Sequence, residues 1–300
     1  LPRGSSDYYG AQHPDKYTVL KGLVYLADTL RRRGELDAAE AKFREARALR
    51  EQLQEDKVVY GMMTLGRARL YMKRGNWGDA HESIAASERI YQELENKTKL
   101  ATVLNVKGEL YLQQGDPDKA DGCLQKARKI LRSVWSPYET TDVLVNLCEV
   151  CGRLGKFEDM EKHAQAAERL AGEYHFHKHL ARLKAATGRA WVHRGNDEQA
   201  IADYCKSLLA AEHYNSFLVE EVKGQLYDTL RRMDTERAEE FYSGLLGELS
   251  RFRQRHEREG LPNEQIQEIK RLEDRVLQSI QSLTQTRRER TRAARDAPRA

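Results

Sequence analysis

Residues 34–46 read GELDAAEAKFREA, and the same pattern returns as GDPDKADGCLQKA at 115–127 and GNDEQAIADYCKS at 195–207. The glycines that open these segments belong to a series spaced 40 or 41 residues apart, namely Gly34, Gly75, Gly115, Gly155 and Gly195. A fixed period of this size indicates an array of structural repeats. Each glycine follows one amphipathic stretch and precedes another, which predicts two helices joined by a tight glycine turn.

The residues around each glycine suit close packing of the two helices. Seven positions before it the sequence has a small residue: Ala27, Ala68, Gly108, Cys148 and Gly188. Five positions after it come Ala39, Ala80, Ala120, Met160 and Ala200. Antiparallel helices can interlock closely only where the crossing point carries little side chain. The spacing therefore predicts where the helices of each hairpin cross.

This order of small, large, Gly, Ala and aromatic positions resembles the tetratricopeptide repeat family over roughly residues 17–249. The period is longer than the family's usual length of about 34, and it is similar to the long-helix variant in kinesin light chains, bacterial peptide sensors and sensor arrays of signal-transduction ATPases. The resemblance implies an all-α fold, a right-handed superhelical solenoid of helix-turn-helix repeats whose first helices line a concave groove. A weaker sixth unit has Met233 in place of the glycine.

The sequence divides into four predicted segments. Residues 1–14 are a linker-like start and N-terminal segment, and 15–258 form an array of about six hairpins. Residues 259–286 carry an amphipathic stripe that predicts a C-terminal capping helix, with a dimeric coiled coil as the alternative. Residues 287–300, RRERTRAARDAPRA, lack large apolar side chains and are predicted to be a disordered basic tail.

Composition narrows the possible functions. The chain has 51 basic and 47 acidic residues, for a net charge of +4, which disfavours a dedicated nucleic-acid-binding protein. The sequence contains no run of about 18 consecutive apolar residues, so it predicts no membrane span. Four cysteines without a recognisable secretion signal favour free thiols and a cytoplasmic location. Cys148 and Cys151 form a C-x-x-C, but they occupy helix-packing positions and no second pair completes a zinc site.

No sequence motif indicates catalysis. The phosphate-binding, dinucleotide-binding, nucleophile-elbow and zinc-protease patterns are all lacking from the sequence, so we predict no enzyme activity, cofactor or metal site. The segment HFHKH at 175–179 is the one unusual cluster. Alternating histidines are compatible with a metal site or a pH response, but the position predicts a surface turn between repeats.

The resemblance implies which positions face the groove. Counting from each glycine gives the candidate ligand-binding set Met62, Leu65, Arg69, Met72, Lys73, Asn105, Glu109, Arg153, Arg189 and His193. The same count adds Lys21, Asp28, Arg31, Arg32, Leu112, Gln113, Glu149, Arg182 and Val192. Arginine can hold a carboxylate through two parallel hydrogen bonds, and asparagine can satisfy both polar groups of a peptide backbone.

This mixture predicts a scaffold or sensor array that binds a protein or peptide within a larger intracellular regulator. Asn105 is the only groove asparagine at the position that the chaperone-tail clamp of the family requires, and Lys73 lies elsewhere, so we predict no such clamp. Two alternatives remain: a nucleic-acid-associated or enzymatic assembly subunit that uses the basic tail, and a homo-oligomerisation module that uses the C-terminal helix.

Overall fold

The computed structural model describes residues 14–52, 57–211 and 216–232, together with scattered positions between 243 and 285. The regular secondary structure of these residues is α-helix. The helices with complete bounds are α1 (Pro14–Arg33), α2 (Leu36–Gln52), α3 (Lys57–Arg74), α4 (Trp77–Glu93), α5 (Lys97–Gln113), α6 (Pro117–Leu131), α7 (Pro137–Arg153), α8 (Phe157–Glu173), α9 (His177–Arg194), α10 (Asp197–Ala211) and α11 (Ser216–Arg232). The predicted all-α class is confirmed for the described part of the chain.

The helices pack in consecutive order. In the first four repeats, each first helix (α1, α3, α5, α7) packs on the second helix that follows it, and the first helices also contact one another from repeat to repeat. The chain divides into two compact units, Leu1–Ala186 and Thr187–Ala300, with the division inside α9. In the second unit, α10 packs on α11. The predicted helical hairpins are therefore confirmed for the first four repeats.

The repeat glycines end the first helices in the left-handed backbone conformation. Gly34 and Gly75, for example, have φ angles of +85° and +75°. At Gly34, the Glu35 amide donates to the Leu30 carbonyl at 3.0 Å and the Gly34 amide donates to the Arg31 carbonyl at 3.1 Å. These two bonds are the Schellman pattern, which satisfies carbonyls that the helix end would leave without partners. The repeat period of about 40 residues is thus the distance between the glycines at which successive first helices end.

The predicted helix crossings lie where the small residues recur. A Cβ atom added to Gly108 would lie 2.8 Å from Cγ of Leu124, and one added to Gly188 would lie 2.5 Å from Cε1 of Tyr204. Both distances are shorter than real Cβ contacts allow. Each glycine therefore makes room for a large side chain of the second helix, which supports the register inferred from the sequence.

Aromatic side chains fill the core of the first unit in the same manner. Phe43 of α2 is 2% exposed and lies over Gly66 of α3, where an added Cβ would meet its ring at 2.6 Å. Tyr91 of α4 is 1% exposed and lies over Gly61 of α3. A Cβ atom added to Gly61 would lie 2.7 Å from the Tyr91 ring. Close approach of backbone and ring buries large apolar area, which is the main source of stability in such a stack.

Cys148 and Cys151 are buried in α7, and their thiols are free. The Cys148 sulfur lies 3.6 Å from the Met160 carbonyl oxygen of α8, at the hairpin crossing. Burial raises the pKa of the Cys151 thiol to about 11. Both cysteines are thus unreactive packing residues. Among the residues with described positions, no three His, Cys, Asp or Glu side chains are grouped as a metal site requires.

The C-terminal segment contacts the segment before it in the second unit. Arg253 donates to Glu273 at 2.9 Å, and Ser250 donates to the same carboxylate at 2.8 Å. Lys270 lies 3.7 Å from Glu257, so the two segments run in opposite directions. The capping helix and the coiled-coil dimer both stay predictions. Residues 1–13, Met233 and the tail at 287–300 lie outside the described residues.

None of the described helices is both long enough and apolar enough to cross a lipid bilayer.

Candidate functional site

Five side chains on three first helices of the first unit form one hydrogen-bonded group, which we name the inner polar cluster: Asn105 and Glu109 of α5, Asp142 and Asn146 of α7, and Arg182 of α9. The Asn105 amide donates to Asp142 at 2.9 Å. The Asn146 amide donates to Asn105 at 2.9 Å and to Glu109 at 3.0 Å. Asn105 is only 1% exposed, so at this residue the group reaches into the buried layer beneath the surface.

Arg182 completes the inner polar cluster. Its guanidinium donates to Asp142, donates to the Asn146 side-chain oxygen at 3.0 Å and lies 3.4 Å from Glu109. Burial alone would raise the pKa of Asp142, but the nearby positive groups, with Arg182 the strongest among them, together outweigh burial and hold that pKa below its usual value. The carboxylate is therefore charged at neutral pH. Because one arginine joins residues of three successive repeats, the cluster fixes their relative positions.

A second group of charges lies on the same side of the first helices. Asp28 of α1 lies 2.7 Å from Arg31 and 2.6 Å from Arg32. Burial alone would raise the pKa of Asp28, but Arg31 and Arg32 lower it, and Arg69 of α3 contributes to the same effect. Arg69 also lowers the pKa of Asp142. It therefore lies within electrostatic range of both carboxylates.

Lys178, in the first turn of α9, joins this group. Burial, together with the nearby charges of Arg32, Arg182 and Arg69, lowers its pKa to about 8, although Asp142 opposes this effect. Lys178 is thus within electrostatic range of Arg32 of the first repeat, although the two residues are far apart in the sequence. We name the surface of the first helices that carries Asp28, Arg69, Glu109, Asp142 and Arg182 the inner face.

The structure separates the sequence-predicted site residues into different environments. Leu65 and Met72 are 6% and 5% exposed and belong to the hydrophobic core, so they offer no apolar floor for a ligand. Both positions share one side of α3 with Arg69, since residues three and four apart are neighbours on a helix, but their apolar side chains belong to a core cluster with Ile84 of α4 and Val103 of α5. Met62 is half-buried, and Lys73 and His193 are exposed.

Two predicted arginines already have protein partners. Arg153 lies 3.0 Å from Glu149 and donates to the Leu112 carbonyl at 2.7 Å. Arg189, in the second unit, lies 3.4 Å from Glu221 and 3.4 Å from the Gln225 side-chain oxygen. Both therefore connect helices. Arg69 makes no direct ion pair within the described part of the chain.

Sequence reasoning missed Asp142, Asn146 and the role of Lys178. The sequence did contain a signal for Asp142. Asp142 lies thirteen residues before Gly155, and Arg182 lies thirteen residues before Gly195, so the two occupy the same position in neighbouring repeats. Equivalent positions of neighbouring repeats lie side by side on the inner face. An acidic and a basic residue at the same distance from their repeat glycines therefore indicate an ion pair between neighbouring repeats.

Aromatic side chains form a continuous edge at the turns that precede α7 and α9. The Trp135 side chain is 81% exposed, and its ring centroid lies 6.4 Å from that of Tyr174. Phe176 stacks on Tyr174 at 5.7 Å and meets Tyr138 at 5.4 Å. The HFHKH segment thus lies at an inter-repeat turn, where His175 has a φ of +56°.

His179 of that segment is the exception, because it is 2% exposed and lies 4.5 Å from the Tyr138 ring and 3.6 Å from Asp142. Burial lowers its pKa to about 4, although Asp142 opposes this. The unfolded chain binds a proton near pH 6.5, so stability is present above that pH and is lost as the pH falls toward 4.

We expect the free energy of unfolding to fall by about 2 kcal/mol between pH 6.5 and 4.5 through His179. Urea unfolding at the two pH values measures this loss. His163 also has a pKa lowered by burial and acts in the same direction. The test therefore compares the wild type with His179→Phe, whose free energy of unfolding should depend less on pH. An unchanged pH dependence would contradict the assignment.

Comparisons with known proteins agree with this architecture. The chain matches the family model described as the MalT-like TPR region over residues 23–285. No curated protein matches the sequence. Among solved structures, BtubC (BKLC) from P. vanneervenii is similar, with 17% sequence identity, a TM-score of 0.50, and coverage of 88% of this chain and 92% of that chain. That likeness concerns the fold alone. Since the family model spans most of the sequence, the chain belongs to the family of MalT-like TPR regions.

Proposed function

We propose that this chain is a protein- or peptide-binding scaffold or sensor array, that its ligand lies against the inner face, and that it belongs to a larger cytoplasmic regulator. TPR-type repeats are protein-interaction modules in general, and the chain belongs to such a family. The choice of the inner face is carried by one observation: charged and amide side chains of consecutive first helices meet there in one network. The proposed role is non-catalytic.

The same network suggests how binding is communicated. Each repeat contacts mainly its neighbours, so small rotations between repeats add along an array. Arg182 and Asp142 form a bond between two repeats at the surface where the ligand would lie. A ligand that competes for either side chain would change the angle between α7 and α9. A larger protein could use that change as a signal.

A binding experiment tests the choice of the inner face. Peptides selected by display against the whole chain would be measured by calorimetry against Arg69→Ala, Arg153→Ala and Arg189→Ala. We expect Arg69→Ala to cost about 2 kcal/mol or more, because Arg69 has no ion-pair partner among the described residues and a buried arginine contact is a typical hot spot. Arg153→Ala and Arg189→Ala should cost less, since both side chains already bind other helices.

Lys126→Ala is the matched control, because Lys126 is an exposed cation on the second helix α6. It should leave the affinity within about twofold, as surface charges contribute little. Selected peptides whose affinity survives Arg69→Ala, Arg153→Ala and Arg189→Ala but falls with Lys126→Ala would contradict binding at the inner face.

A further inference from the structure

A small cleft lies between α2, the second helix of the first repeat, and α3, the first helix of the second repeat. Its volume is about 40 Å³. One water molecule needs about 10–15 Å³ on the same scale, so the cleft has room for three or four non-hydrogen atoms. The side chains that line it are Glu40, Phe43, Arg44 and Arg47 of α2 and Arg67, Leu70 and Tyr71 of α3. The cleft is thus the size of one small chemical group, and three arginines surround it.

Helix periodicity brings these arginines to the cleft. Arg44 and Arg47 are three residues apart on α2, so both lie on one side of that helix. Arg67 and Tyr71 are four residues apart on α3 and share a side in the same way. The Arg67 guanidinium donates to the Tyr71 hydroxyl at 2.6 Å, and this bond holds it beside the cleft. An anion in the cleft would therefore meet three guanidinium groups.

The acidic side chains close to the cleft leave this positive charge largely uncompensated. Glu40 is the one carboxylate in the lining, and it accepts a hydrogen bond from Arg74. Arg47 lies 3.3 Å from Glu51, but these two side chains are 61% and 63% exposed, so their attraction is weak. The other two arginines of the cleft have no carboxylate partner among the residues that the structure describes.

The next interface between repeats has an ion pair at the equivalent positions. Glu88 lies thirteen residues after its repeat glycine, as Arg47 does, and Lys107 lies eight residues before its repeat glycine, as Arg67 does. Lys107 and Glu88 are 2.8 Å apart. At the first interface two arginines occupy the positions of this pair, so like charges lie on the two sides of the cleft and repel each other. A bound anion would supply the negative charge that Glu88 supplies one repeat later.

We infer that Arg44, Arg47 and Arg67 form a binding site for the phosphoryl group of a phosphate monoester. Such a group carries a charge of about −1.5 to −2 at neutral pH and three acceptor oxygens, which match three guanidinium donors. A carboxylate has one charge and two oxygens, so it matches the three donors less well. A phosphorylated side chain and a free phosphate ester share this chemistry, and the experiment below separates the two sources.

The site lies away from the inner face. Arg67 is two residues from Arg69, which corresponds to a rotation of about 200° around α3. The other two arginines of the site belong to a second helix, whereas the inner face consists of first helices. The inference is therefore independent of the proposed function.

The probes are capped hexapeptides of glycine and serine that carry phosphoserine, glutamate or serine at one central position, with inorganic phosphate as a competitor. Calorimetry on the full chain would compare the wild type with Arg44→Gln, Arg67→Gln and Arg47→Glu. We expect the phosphoserine peptide to bind about tenfold more tightly than the glutamate peptide. Arg44→Gln and Arg67→Gln should each weaken phosphoserine binding by about fivefold or more, because each removes one charge-assisted donor.

Two variants separate a specific site from general charge attraction and from unfolding. Arg89→Gln is the matched control, because Arg89 is an exposed arginine of α4 that does not line the cleft. It should leave the affinity within about twofold. Arg47→Glu gives Arg67 the kind of partner that Lys107 has in Glu88. We expect this variant to lose phosphoserine binding while its thermal unfolding midpoint stays the same or rises, which shows that the loss is not unfolding.

The remaining outcomes decide the source of the group and the fate of the inference. Inorganic phosphate that competes as well as the phosphoserine peptide would assign the site to free phosphate esters, and much weaker competition would assign it to a phosphorylated segment; both results support the site. Equal affinity for the phosphoserine and glutamate peptides, or binding of none of the probes, would overturn the phosphoryl group as the ligand. Phosphoserine binding that survives Arg44→Gln and Arg67→Gln, or that falls equally with Arg89→Gln, would overturn the cleft as the site. None of these results changes the test of the inner face, which uses other variants and display-selected peptides.

Discussion

Gly188→Leu is expected to cost about 3 kcal/mol or more of the free energy of unfolding. At this position a Cβ alone would lie 2.5 Å from the ring of Tyr204, which is 1% exposed and has no room to move aside. Overpacking of a dense core typically costs about 1–3 kcal/mol and occasionally more. Gly108→Leu should behave similarly, because its Cβ would lie 2.8 Å from Leu124. Urea unfolding followed by circular dichroism measures both.

Gly122→Leu is the matched control for Gly108→Leu. Gly122 lies in α6 of the same hairpin, it is exposed, and an added Cβ would meet nothing within 4 Å. Leucine in a helix interior is favoured over glycine by about 0.5–1 kcal/mol, so the control should be neutral or stabilising. Equal stability of Gly108→Leu and Gly122→Leu would show that the predicted hairpin crossing is misplaced.

Arg182→Met should cost about 2–4 kcal/mol, the second-largest effect that we expect. The substitution leaves Asp142, whose side chain is 16% exposed, without its main cation. Removing one member of a buried ion pair is far more costly than the pair's net contribution, because the remaining charge stays desolvated. The value is below that of a fully buried pair, since the Arg182 side chain is 27% exposed.

A double-mutant cycle checks the cause of this loss. Replacing Asp142 by leucine in the Arg182→Met background should recover part of the stability, because no unpaired carboxylate remains. Lys162→Met is the surface control, since Lys162 and its partner Asp159 have side chains 70% and 55% exposed. It should change stability by less than about 0.5 kcal/mol. A loss for Lys162→Met as large as that for Arg182→Met would disprove the special role of the inner polar cluster.

Local signals made the repeat architecture predictable. A glycine that ends a helix must adopt a positive φ, and a small residue two turns earlier must face a neighbouring helix; both requirements act within one hairpin. The sequence therefore places the turns at Gly34 through Gly195 and the crossings at Gly108 and Gly188, where the structure has them. It also placed Cys148 and Cys151 at packing positions, and both side chains are buried.

The HFHKH segment shows the limit of such local reasoning. The alternation of histidines suggests one shared environment, but α9 begins at His177, so the backbone turns by about 100° per residue from there. His179 consequently enters the buried layer beside Tyr138, while His175 and His177 remain exposed at the turn. The exact start of one helix decided which histidine is buried, and sequence patterns place helix ends only to within a few residues.

By itself, then, the sequence of this protein determined the period and the hairpin crossings, while the first-helix positions that it offers for a binding surface stay a prediction. The tertiary structure decided which of those side chains meet. Arg153 binds the Leu112 carbonyl, whereas Arg69 lies within electrostatic range of Asp28 and Asp142 without pairing to either. Turns and crossings depend on residues within one hairpin, but charge pairing on the inner face depends on the rotation between successive repeats. That rotation is a sum of many small packing contacts, and no single stretch of sequence encodes it.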